Sequence, residues 1–393
     1  MKRFVIGLFG ASLLALVPAL GASAFAPQTL PASRALDWIQ QTQLQANGSV
    51  GGDATRTEEV LWGLAANHRP FLSFVKSGSA NNPLDYLQSN LSTEEAAAGN
   101  IAQLILAVTA AGNDPTNFGP PGAKHDLFAD LQGDYNSSTG EFGTKIFDHI
   151  VSILALRSAS KAPPAAGIAF LKSQQKADGG WSFDNADAYG TDTNTTALAL
   201  VALAANGSLD GCVVNKSLAY LKAAQQTSGG FPSQAAFPPS DPDSDGLVIE
   251  GLLAVGQDPT GAAWTTSGDK NPLTDLLSFQ QEDGSFSFPG VGPDNLLATT
   301  QPLVALASNH LPLTAAGTSF TAPSVPACQE PAATSTPVPT ALPSATPTPA
   351  AVPLLAQTGH PVQGGASRWP AAALLLVGLI GVFSGWTFRR HRR

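Results

Sequence analysis

The chain has few cysteines and few clustered basic residues, and each shortage excludes a class of function. Its 393 residues include two cysteines, Cys212 and Cys328, and neither is flanked by the Cys or His neighbours that a zinc site needs. A cysteine-based zinc site is therefore not expected. Lys and Arg number 20 against 29 Asp and Glu. Nucleic acid is not an expected partner, because phosphate binding needs clustered basic side chains.

Both ends of the chain predict export and attachment outside the cell. Lys2 and Arg3, an apolar run and a small-residue triplet are typical of a signal peptide over residues 1–24. Residues 370–388 form an apolar stretch just long enough to cross a bilayer. The Arg-rich tail that follows it is expected to stay on the cytoplasmic side. The expected location is the extracellular face, with one C-terminal transmembrane segment in residues 354–393.

The segment before the anchor cannot form a core. Residues 321–353 consist mainly of Pro, Thr, Ser and Ala, a composition that favours extended conformations and predicts a disordered stalk. Without the signal peptide and everything after Gly359, 13 Lys and Arg face 29 Asp and Glu, a formal charge of about −16. Cations and basic surfaces suit this part of the chain better than anions do. Residues 25–320 are numerous enough for one large core.

The two cysteines also predict a covalent link. An even number of cysteines in an oxidising exterior is typical of a disulfide, which would join Cys212 to Cys328 and tie the end of the domain to its fourth repeat. Two free thiols are the alternative. The sequence alone does not show that the two backbones come close enough for the bond.

A repeated pattern organises residues 25–320. A helix-like segment ending in Gln-Gln leads into a Gly-rich turn with an aromatic residue and then a second apolar helix, as in "GIAFLKSQQKADGGWSF" followed by "DTNTTALALVALAANG". A period of about 50 residues is typical of two-helix repeats. The second helices carry apolar residues on more than one face, as expected for helices buried on both sides. Six hairpins are predicted, marked by Gln40, Gln88, Gln132, Gln174, Gln225 and Gln280.

The repeat resembles that of the prenyltransferase and squalene-cyclase family, which includes the terpenoid cyclases. The likeness covers about residues 30–312 and is strongest after Ala165. It implies an all-α fold, an (α/α)6 toroid of six helical hairpins whose second helices line the inside. In that family a Gln and an aromatic residue of the turn tie neighbouring outer helices together. The resemblance gives this structural role to Gln174 with Trp181, Gln225 with Phe231, and Gln280 with Phe286.

A pentapeptide before the apolar C-terminal stretch resembles a cell-wall sorting signal. Its Leu-Ala-x-Thr-Gly form is similar to the variant associated with class E sortases, which implies a cut after the Thr and its attachment to an envelope amine. A sortase and the cell envelope would then be partners. The alternative is a plain transmembrane anchor with a coincidental match. The pentapeptide consists of Leu355, Ala356, Gln357, Thr358 and Gly359.

The known activities of the family fit this sequence unequally. Protein prenyltransferases need an Asp-Cys-His zinc site on the inner helices, and the thioester domains of complement-like proteins need Cys-Gly-Glu-Gln; the sequence has neither. Class II terpene cyclases protonate an alkene with the central Asp of Asp-x-Asp-Asp. The nearest match is Asp243-Ser244-Asp245-Gly246, which would make Asp245 the donor but lacks the last Asp. A second match has Asn194 in place of the acid. Such cyclases are also expected to enclose their substrate between two barrels, whereas this chain has one.

The same acidic segment supports a second interpretation. Asp241, Asp243 and Asp245 alternate and are followed by Gly, like the first half of a calcium loop. Leu252 stands where the bidentate Glu belongs, and Glu250 is misplaced. Calcium is therefore a candidate cofactor, and the alternative is an acidic loop in which Asp245 caps the next helix. Glu250 lies in an apolar run, where a carboxylate is costly unless it is paired or borders a cavity.

Two functions remain open from the sequence. The toroid also resembles the α-domain of the corrinoid carriers of the intrinsic-factor and transcobalamin group, which implies a small ligand at the barrel mouth. The sequence favours a surface-anchored, non-catalytic binding or interaction module. The alternative is a terpene-cyclase-like enzyme with Asp245 as general acid and Glu250 as a second acid.

Polar residues that recur near the starts of the second helices predict a polar ring at one mouth, although helix capping also explains them: Glu58, Glu59, Gln103, Asp148, His149, Thr195, Thr196, Asp245, Thr299 and Thr300.

Overall fold

The computed structural model describes residues 25–91, 97–188, 190–313 and 324–328. The predicted signal peptide, the sorting pentapeptide and the apolar segment 370–388 lie outside the described residues, as does the predicted stalk apart from 324–328. Among the helices of the described ranges, none is long and apolar enough to cross a membrane.

Helices of the described part alternate along the chain between an outer and an inner layer. The outer helices are α1 (Thr29–Trp38), α3 (Pro83–Ser89), α5 (Leu127–Gly133), α7 (Ala165–Ser173), α9 (Gly211–Ala224) and α11 (Pro272–Ser278). The inner helices are α2 (Ala54–Ala66), α4 (Ala98–Ala110), α6 (Ile146–Ser158), α8 (Thr193–Ala205), α10 (Pro242–Ala254) and the split pair α12 (Leu296–Thr300) and α13 (Leu303–Leu306). Short antiparallel strand pairs precede three inner helices: β1 (Tyr135–Asn136) with β2 (Glu141–Phe142), β3 (Trp181–Ser182) with β4 (Thr191–Asp192), and β5 (Phe286–Phe288) with β6 (Gly292–Asn295).

The inner helices form a closed ring. Each packs against the next in chain order, and α12 and α13 pack against both α10 and α2. Every residue of α8 is buried, and α10 buries all of its residues except Leu247. Helices that are apolar on all sides are buried between two layers. Small residues allow α8 and α10 to approach closely, because a Cβ at Gly251 would lie 2.9 Å from the Cβ of Ala197. The predicted helical toroid is confirmed for the described residues.

Glycine in each turn permits contact with the following repeat. Gly229 has a φ of +97°, which favours glycine, and a Cβ there would lie 2.5 Å from the backbone nitrogen of Asn271. Gly179 and Gly284 have the same positive φ and the same close approach to the backbone of the next outer helix. The Gly-rich part of the repeat is therefore required by packing between repeats.

Glutamine side chains join adjacent repeats and close the ring. The Nε2 of Gln225 donates to Gly229 O at 2.8 Å within its own turn and to Trp264 O at 2.7 Å in the next repeat. Gln280 likewise donates to Gly284 O at 3.1 Å and to Pro31 O at 2.9 Å. Since Pro31 belongs to α1, this last hydrogen bond connects the sixth repeat to the first.

In the fourth repeat the bridging residue is Gln175, and the role predicted for Gln174 is wrong. Gln175 Nε2 donates at 3.0 Å to each of three acceptors: Gly179 O, Val213 O and Ser217 Oγ. Gln174 Nε2 instead donates to Oγ of its neighbour Ser173 at 3.2 Å, on the exposed side. Gln175 precedes Trp181 by six positions, the same spacing that separates Gln225 from Phe231.

Replacing Gln175 by Ala is expected to lower the free energy of unfolding by about 1–3 kcal/mol, because half-buried acceptors of two repeats lose their donor. Gln174→Ala is the matched control and should change it by less than about 0.5 kcal/mol. Urea unfolding of both variants checks this. Equal destabilisation by the two substitutions would contradict the assignment of the bridge to Gln175.

A disulfide holds the end of the described chain against the start of α9. Cys212 and Cys328 are bonded, with their Cα atoms 4.4 Å apart and 116 positions apart in sequence. Gly211 makes this approach possible, because a Cβ there would lie 2.5 Å from the backbone nitrogen of Cys328. Since α9 is the outer helix of the fifth repeat, the disulfide ties residue 328 to the fifth repeat and not to the predicted fourth.

Candidate functional site

A hydrogen bond from the turn to the inner helix recurs in five repeats of the described ring and fixes the register of the helix in each of them. The acceptor is always the side chain four residues after the N-cap, and the donor is a backbone N–H at the end of the preceding turn. The pairs are Val50 to Thr57 Oγ1 (2.9 Å), Phe142 to His149 Nδ1 (3.0 Å), Trp181 to Thr196 Oγ1 (3.0 Å), Phe231 to Asp245 Oδ1 (2.6 Å) and Phe286 to Thr299 Oγ1 (2.9 Å). Asp245 therefore occupies a structural position that other repeats fill with Thr or His.

The surroundings of His149 and Asp245 agree with this structural role. Because His149 Nδ1 accepts a hydrogen bond, Nε2 carries the proton and contacts Gly167 O at 2.9 Å, while burial lowers the pKa of the ring to about 4. Asp245 is fully buried, and its pKa is raised well above the usual value, first by burial and then by the negative charge of Asp275. Gly230 leaves the space for both carboxyls, since a Cβ there would lie 2.5 Å from Asp245 Oδ1. Asp245 thus faces the turn and α11.

Replacing Asp245 by Thr is expected to stabilise the toroid at pH 7 by about 1–2 kcal/mol. Threonine keeps an acceptor for the Phe231 N–H, as it does in three other repeats, and removes a buried acid beside Asp275. Asp245→Ala is the control, since it leaves that buried N–H without its acceptor and should cost about 1–3 kcal/mol. Thermal unfolding distinguishes the two, and a Thr variant less stable than the Ala variant would contradict the structural role.

Asp243 lies on the opposite side of α10 from Asp245. Two residues turn an α-helix by about 200°, so the two carboxyls point in different directions. The Asp243 side chain is buried, and its Oδ1 has no hydrogen-bond partner among the described residues. Burial and the charge of Asp241 raise its pKa well above the usual value, whereas Arg56 acts to lower it. Asp243 is therefore a buried carboxyl whose pKa is raised and whose Oδ1 has no hydrogen-bond partner among the described residues.

Arg56 and Glu59 on α2 and two residues at the end of α12 accompany Asp243. Arg56 Nη1 lies 2.8 Å from Glu59 Oε2, and both side chains are buried. Thr300 Oγ1 donates to Glu59 Oε2, and Gln301 Nε2 donates to Glu59 Oε1 at 3.4 Å. Burial raises the pKa of Glu59, and Arg56 opposes that shift. We call Arg56, Glu59, Asp243, Thr300 and Gln301 the mouth cluster. The first three lie in the first two turns of α2 and α10, and the last two lie at the C-terminal end of α12.

The calcium interpretation of Asp241, Asp243 and Asp245 is wrong for a geometric reason. Asp241 is the N-cap of α10, and its two oxygens accept from the N–H and Oγ of Ser244 at 2.8 and 2.9 Å. The other two carboxylates start a helix and point to opposite sides of it, so the three do not converge on one ion. No group of three His, Cys, Asp or Glu in the described part of the chain is arranged to hold a metal.

Glu250 lies at the other end of α10 from the mouth cluster. Seven residues separate it from Asp243, about 10 Å along the helix axis. It is buried and accepts a hydrogen bond from the Leu311 N–H at 3.1 Å, and burial raises its pKa to about 8. Glu250 therefore fastens the segment after α13 to the inner ring, and it does not act together with Asp245.

The register of α8 and α10 shows which of their residues are equivalent. Asp192 and Asp241 are the N-caps of these helices, and each accepts from the backbone N–H three residues later, at 2.6 and 2.8 Å. Asn194 and Asp243 are therefore equivalent, two residues after the cap. The sequence argument aligned both Asp245 and Asn194 with the central acid of the cyclase motif, and these two residues are not equivalent in this register. The N-cap signal was present in the sequence, and Glu59 and Thr300 belonged to the predicted polar ring, whereas Arg56 and Asp275 had no local signal that linked them to this site.

Solved structures with the same fold include type II terpene cyclases. A variant of the type II terpene cyclase MstE from Scytonema, in complex with geranylgeranyl dihydroxybenzoate, is 13% identical, with a TM-score of 0.50 over 71% of this chain and 97% of that chain. Unliganded MstE gives a TM-score of 0.51 at 13% identity and the same coverage. A protein from Actinoplanes gives 0.51 at 13% identity over 72% of this chain and 98% of that one. No protein-family model matches the chain, and no curated protein matches it.

These similarities correct one expectation and fix the fold. The sequence argument assumed that a class II cyclase needs two barrels. MstE carries the name of a type II terpene cyclase, yet the toroid of this chain matches 97% of its length. One barrel therefore makes up nearly all of such a protein, and the argument from barrel number is wrong. The described part of the chain has the α/α-toroid fold of the type II terpene cyclases.

Proposed function

We propose that this toroid is an acid-initiated cyclase of polyprenyl compounds and that Asp243 is its proton donor. The observation that carries the proposal is the Asp243 carboxyl, which is buried, has a pKa raised by burial and by Asp241, and has no hydrogen-bond partner for Oδ1 among the described residues. It occupies the position two residues after an N-cap Asp, in the segment Asp241-Pro242-Asp243-Ser244. This matches the first and central acids of Asp-x-Asp-Asp, with Ser244 in place of the last.

The mouth cluster has the charges that such a step requires. In the first step the π electrons of a terminal double bond take the proton from Asp243; a C–H bond forms, the O–H bond breaks, and a carbocation and a carboxylate result. The positive charge of Arg56 stabilises that carboxylate. The cation is then attacked by the next double bonds, and loss of a proton from carbon ends the sequence. Asp243 regains a proton from solvent, so the product is an isomer of the substrate.

Burial protects such an intermediate. Helices α8 and α10 expose almost no residue to water, and a carbocation formed beside them would meet C–H groups before it met solvent. The Glu59–Arg56 pair with its hydrogen bonds from Thr300 and Gln301 fixes the guanidinium beside Asp243. Arg56 and Glu59 are therefore positioning residues in this proposal.

The same burial favours a second candidate, the non-catalytic binding module. An inner helix that buries every residue presents no open wall to a ligand, so a scaffold that binds its partner outside the ring also fits α8. The two candidates differ in outcome. A binding module returns a bound polyprenyl compound unchanged, whereas a cyclase converts it into an isomer.

Incubation of the purified full-length protein with polyprenyl substrates in D₂O tests the proposal. Geranylgeraniol, squalene and a geranylgeranylated arene cover three kinds of head group. A cyclase that works through Asp243 gives a cyclic product carrying one deuterium on carbon, since the acid exchanges with solvent before each turnover. Recovery of unlabelled linear compound from all three, with binding retained, would favour the module instead.

We also propose that the toroid works outside the cell, attached through its C-terminus. The support is the sequence alone: the signal-like residues 1–24 and the Leu355–Gly359 pentapeptide before an apolar segment. Mass spectrometry of the protein from its own host measures both ends. An N-terminus near Phe25 and a C-terminus at Thr358 are expected, and an intact chain from Met1 would contradict the proposal.

A further inference from the structure

Two buried carboxyls meet between the fifth and sixth repeats. Asp245 on α10 and Asp275 on α11 are both buried, and their side chains share a hydrogen bond. A Cβ at Gly230 would overlap Asp275 Oδ2 and would lie 2.5 Å from Asp245 Oδ1, so both carboxyls lie against this glycine. Two carboxylates are both acceptors and cannot hydrogen-bond to each other. The contact therefore requires a proton on one of the two carboxyls.

The elements around this pair supply no positive charge. Helix α10, the elements that make its main contacts (α8, α11, α12, α13 and β5) and the turn at residues 226–240 contain no Lys, Arg or His. Asp275 is the one ionisable residue of α11, and Asp241 at the N-cap of α10 adds a negative charge that acts on Asp245. Three further acids of these helices and their caps face other contacts: Asp192, Asp243 and Glu250. A second carboxylate charge at the pair would therefore be repelled without a counter-charge from these elements.

The same position in three other repeats is filled by threonine, which does not titrate. Thr57, Thr196 and Thr299 accept the N–H of their turns as Asp245 accepts that of Phe231. A threonine makes this contact equally well at every pH. Among the five repeats that show this hydrogen bond, the fifth makes it through an acid, and that acid is half of a carboxyl pair.

We infer that Asp245 and Asp275 form a pH-sensitive latch, which ties the fifth turn, α10 and α11 together while the pair holds a proton and releases them when that proton passes to solvent. Burial, and after it the charges of Asp275 and Asp241, raise the pKa of Asp245 well above its usual value of 3.8. The folded chain thus holds a proton that the unfolded chain has released. For such a group the stabilisation is complete below the unfolded pKa and is lost as the pH rises through the folded one. The latch is closed in acid and opens as the medium becomes alkaline.

Opening of the latch loosens the ring at the start of α10. Two ionised carboxylates repel each other, which separates α11 from α10 and weakens the hydrogen bond from the Phe231 N–H to Asp245 Oδ1. That hydrogen bond fixes the register of α10, and the first turn of α10 carries Asp243. The latch works in the same way in a cyclase and in a binding module, because it acts on the contact between repeats.

Amide hydrogen exchange of the full-length protein, measured by mass spectrometry from about pH 6 to about pH 9, tests the latch. The measured quantity is the protection factor of the turn peptide that contains Phe231, corrected for the intrinsic pH dependence of exchange. We expect it to fall at least about tenfold over this range, as one pKa unit of differential interaction would give. The peptides that contain Trp181 and Phe286, whose acceptors are threonines, are internal controls and should change by less than about threefold.

Two variants assign the effect to the pair. In Asp275→Asn the amide can donate to an ionised Asp245, so the protection of the Phe231 peptide should stay within about threefold over the same range. Asp245→Asn should behave in the same way, because its amide can donate to Asp275 and its oxygen still accepts from the Phe231 N–H. Constant protection of this peptide in the unmodified protein would overturn the inference. An equal fall in all three peptides would mean that the ring opens as a whole, and an undiminished fall in both variants would mean that the pair is not the cause; either result would also overturn it.

Discussion

Asp243→Asn is expected to abolish cyclisation while the toroid remains folded. Asparagine has the shape of the protonated carboxyl but cannot give a proton to an alkene. We expect the rate of product formation to fall by at least about 10³-fold, within the range for loss of a general acid. The substitution also removes a buried acid, so the melting temperature should stay the same or rise. Product formation and thermal unfolding are measured on the same preparation.

The control for this loss is the other acid of the segment. Asp245→Thr removes a carboxyl from the same helix but from the side that faces the turn, and it should retain activity within about threefold. The alternative that makes Asp245 the general acid predicts the reverse: activity lost in Asp245→Thr and kept in Asp243→Asn. If the Asn variant converts substrate at a rate within tenfold of that of the unmodified protein, the assignment of Asp243 as the proton donor is wrong.

The arrangement of the repeats was predictable because one local motif carries it. Each turn needs a glycine where the backbone of the next repeat approaches, as at Gly229, and a glutamine that reaches across, as at Gln225. These two requirements recur in every repeat that retains the motif, and they therefore appear as a pattern in the sequence. Gln174 was misassigned because two adjacent glutamines satisfy the same pattern. The distance of six positions to the buried Trp181 distinguishes Gln175 from it.

The site was harder to predict because its parts come from distant repeats. The alternating Asp241, Asp243 and Asp245 match part of a calcium loop and, in more than one alignment, part of a cyclase motif. Only the helix phase separates them, and the Asp241 cap sets that phase. The partner of Asp243, Arg56, lies in the first repeat and reaches it because the ring closes between α12–α13 and α2. No spacing in the sequence indicates that Arg56 and Asp243 come close together.

Glu250→Gln is expected to make the toroid more stable at neutral pH and to leave it nearly unchanged in acid. Burial raises the folded-state pKa of Glu250 to about 8 from the usual 4.5, so the folded state holds a proton that the unfolded chain releases. For a raised carboxyl, stability is complete below pH 4.5 and falls as the pH rises towards 8. At pH 7 the loss amounts to about 3 kcal/mol, and at pH 5 to less than about 1 kcal/mol.

Glutamine cannot ionise, yet its amide oxygen still accepts the hydrogen bond from the Leu311 N–H. The free energy of unfolding of the variant, measured in urea, should therefore exceed that of the unmodified protein by about 3 kcal/mol at pH 7. This difference should fall below about 1 kcal/mol at pH 5. Glu282→Gln, at an exposed turn position, is the matched control and should show no such pH dependence. A constant difference between pH 5 and pH 8 would mean that Glu250 is ionised in the folded protein. The segment after α13 would then be held by a charged carboxylate, and raising the pH would not loosen it.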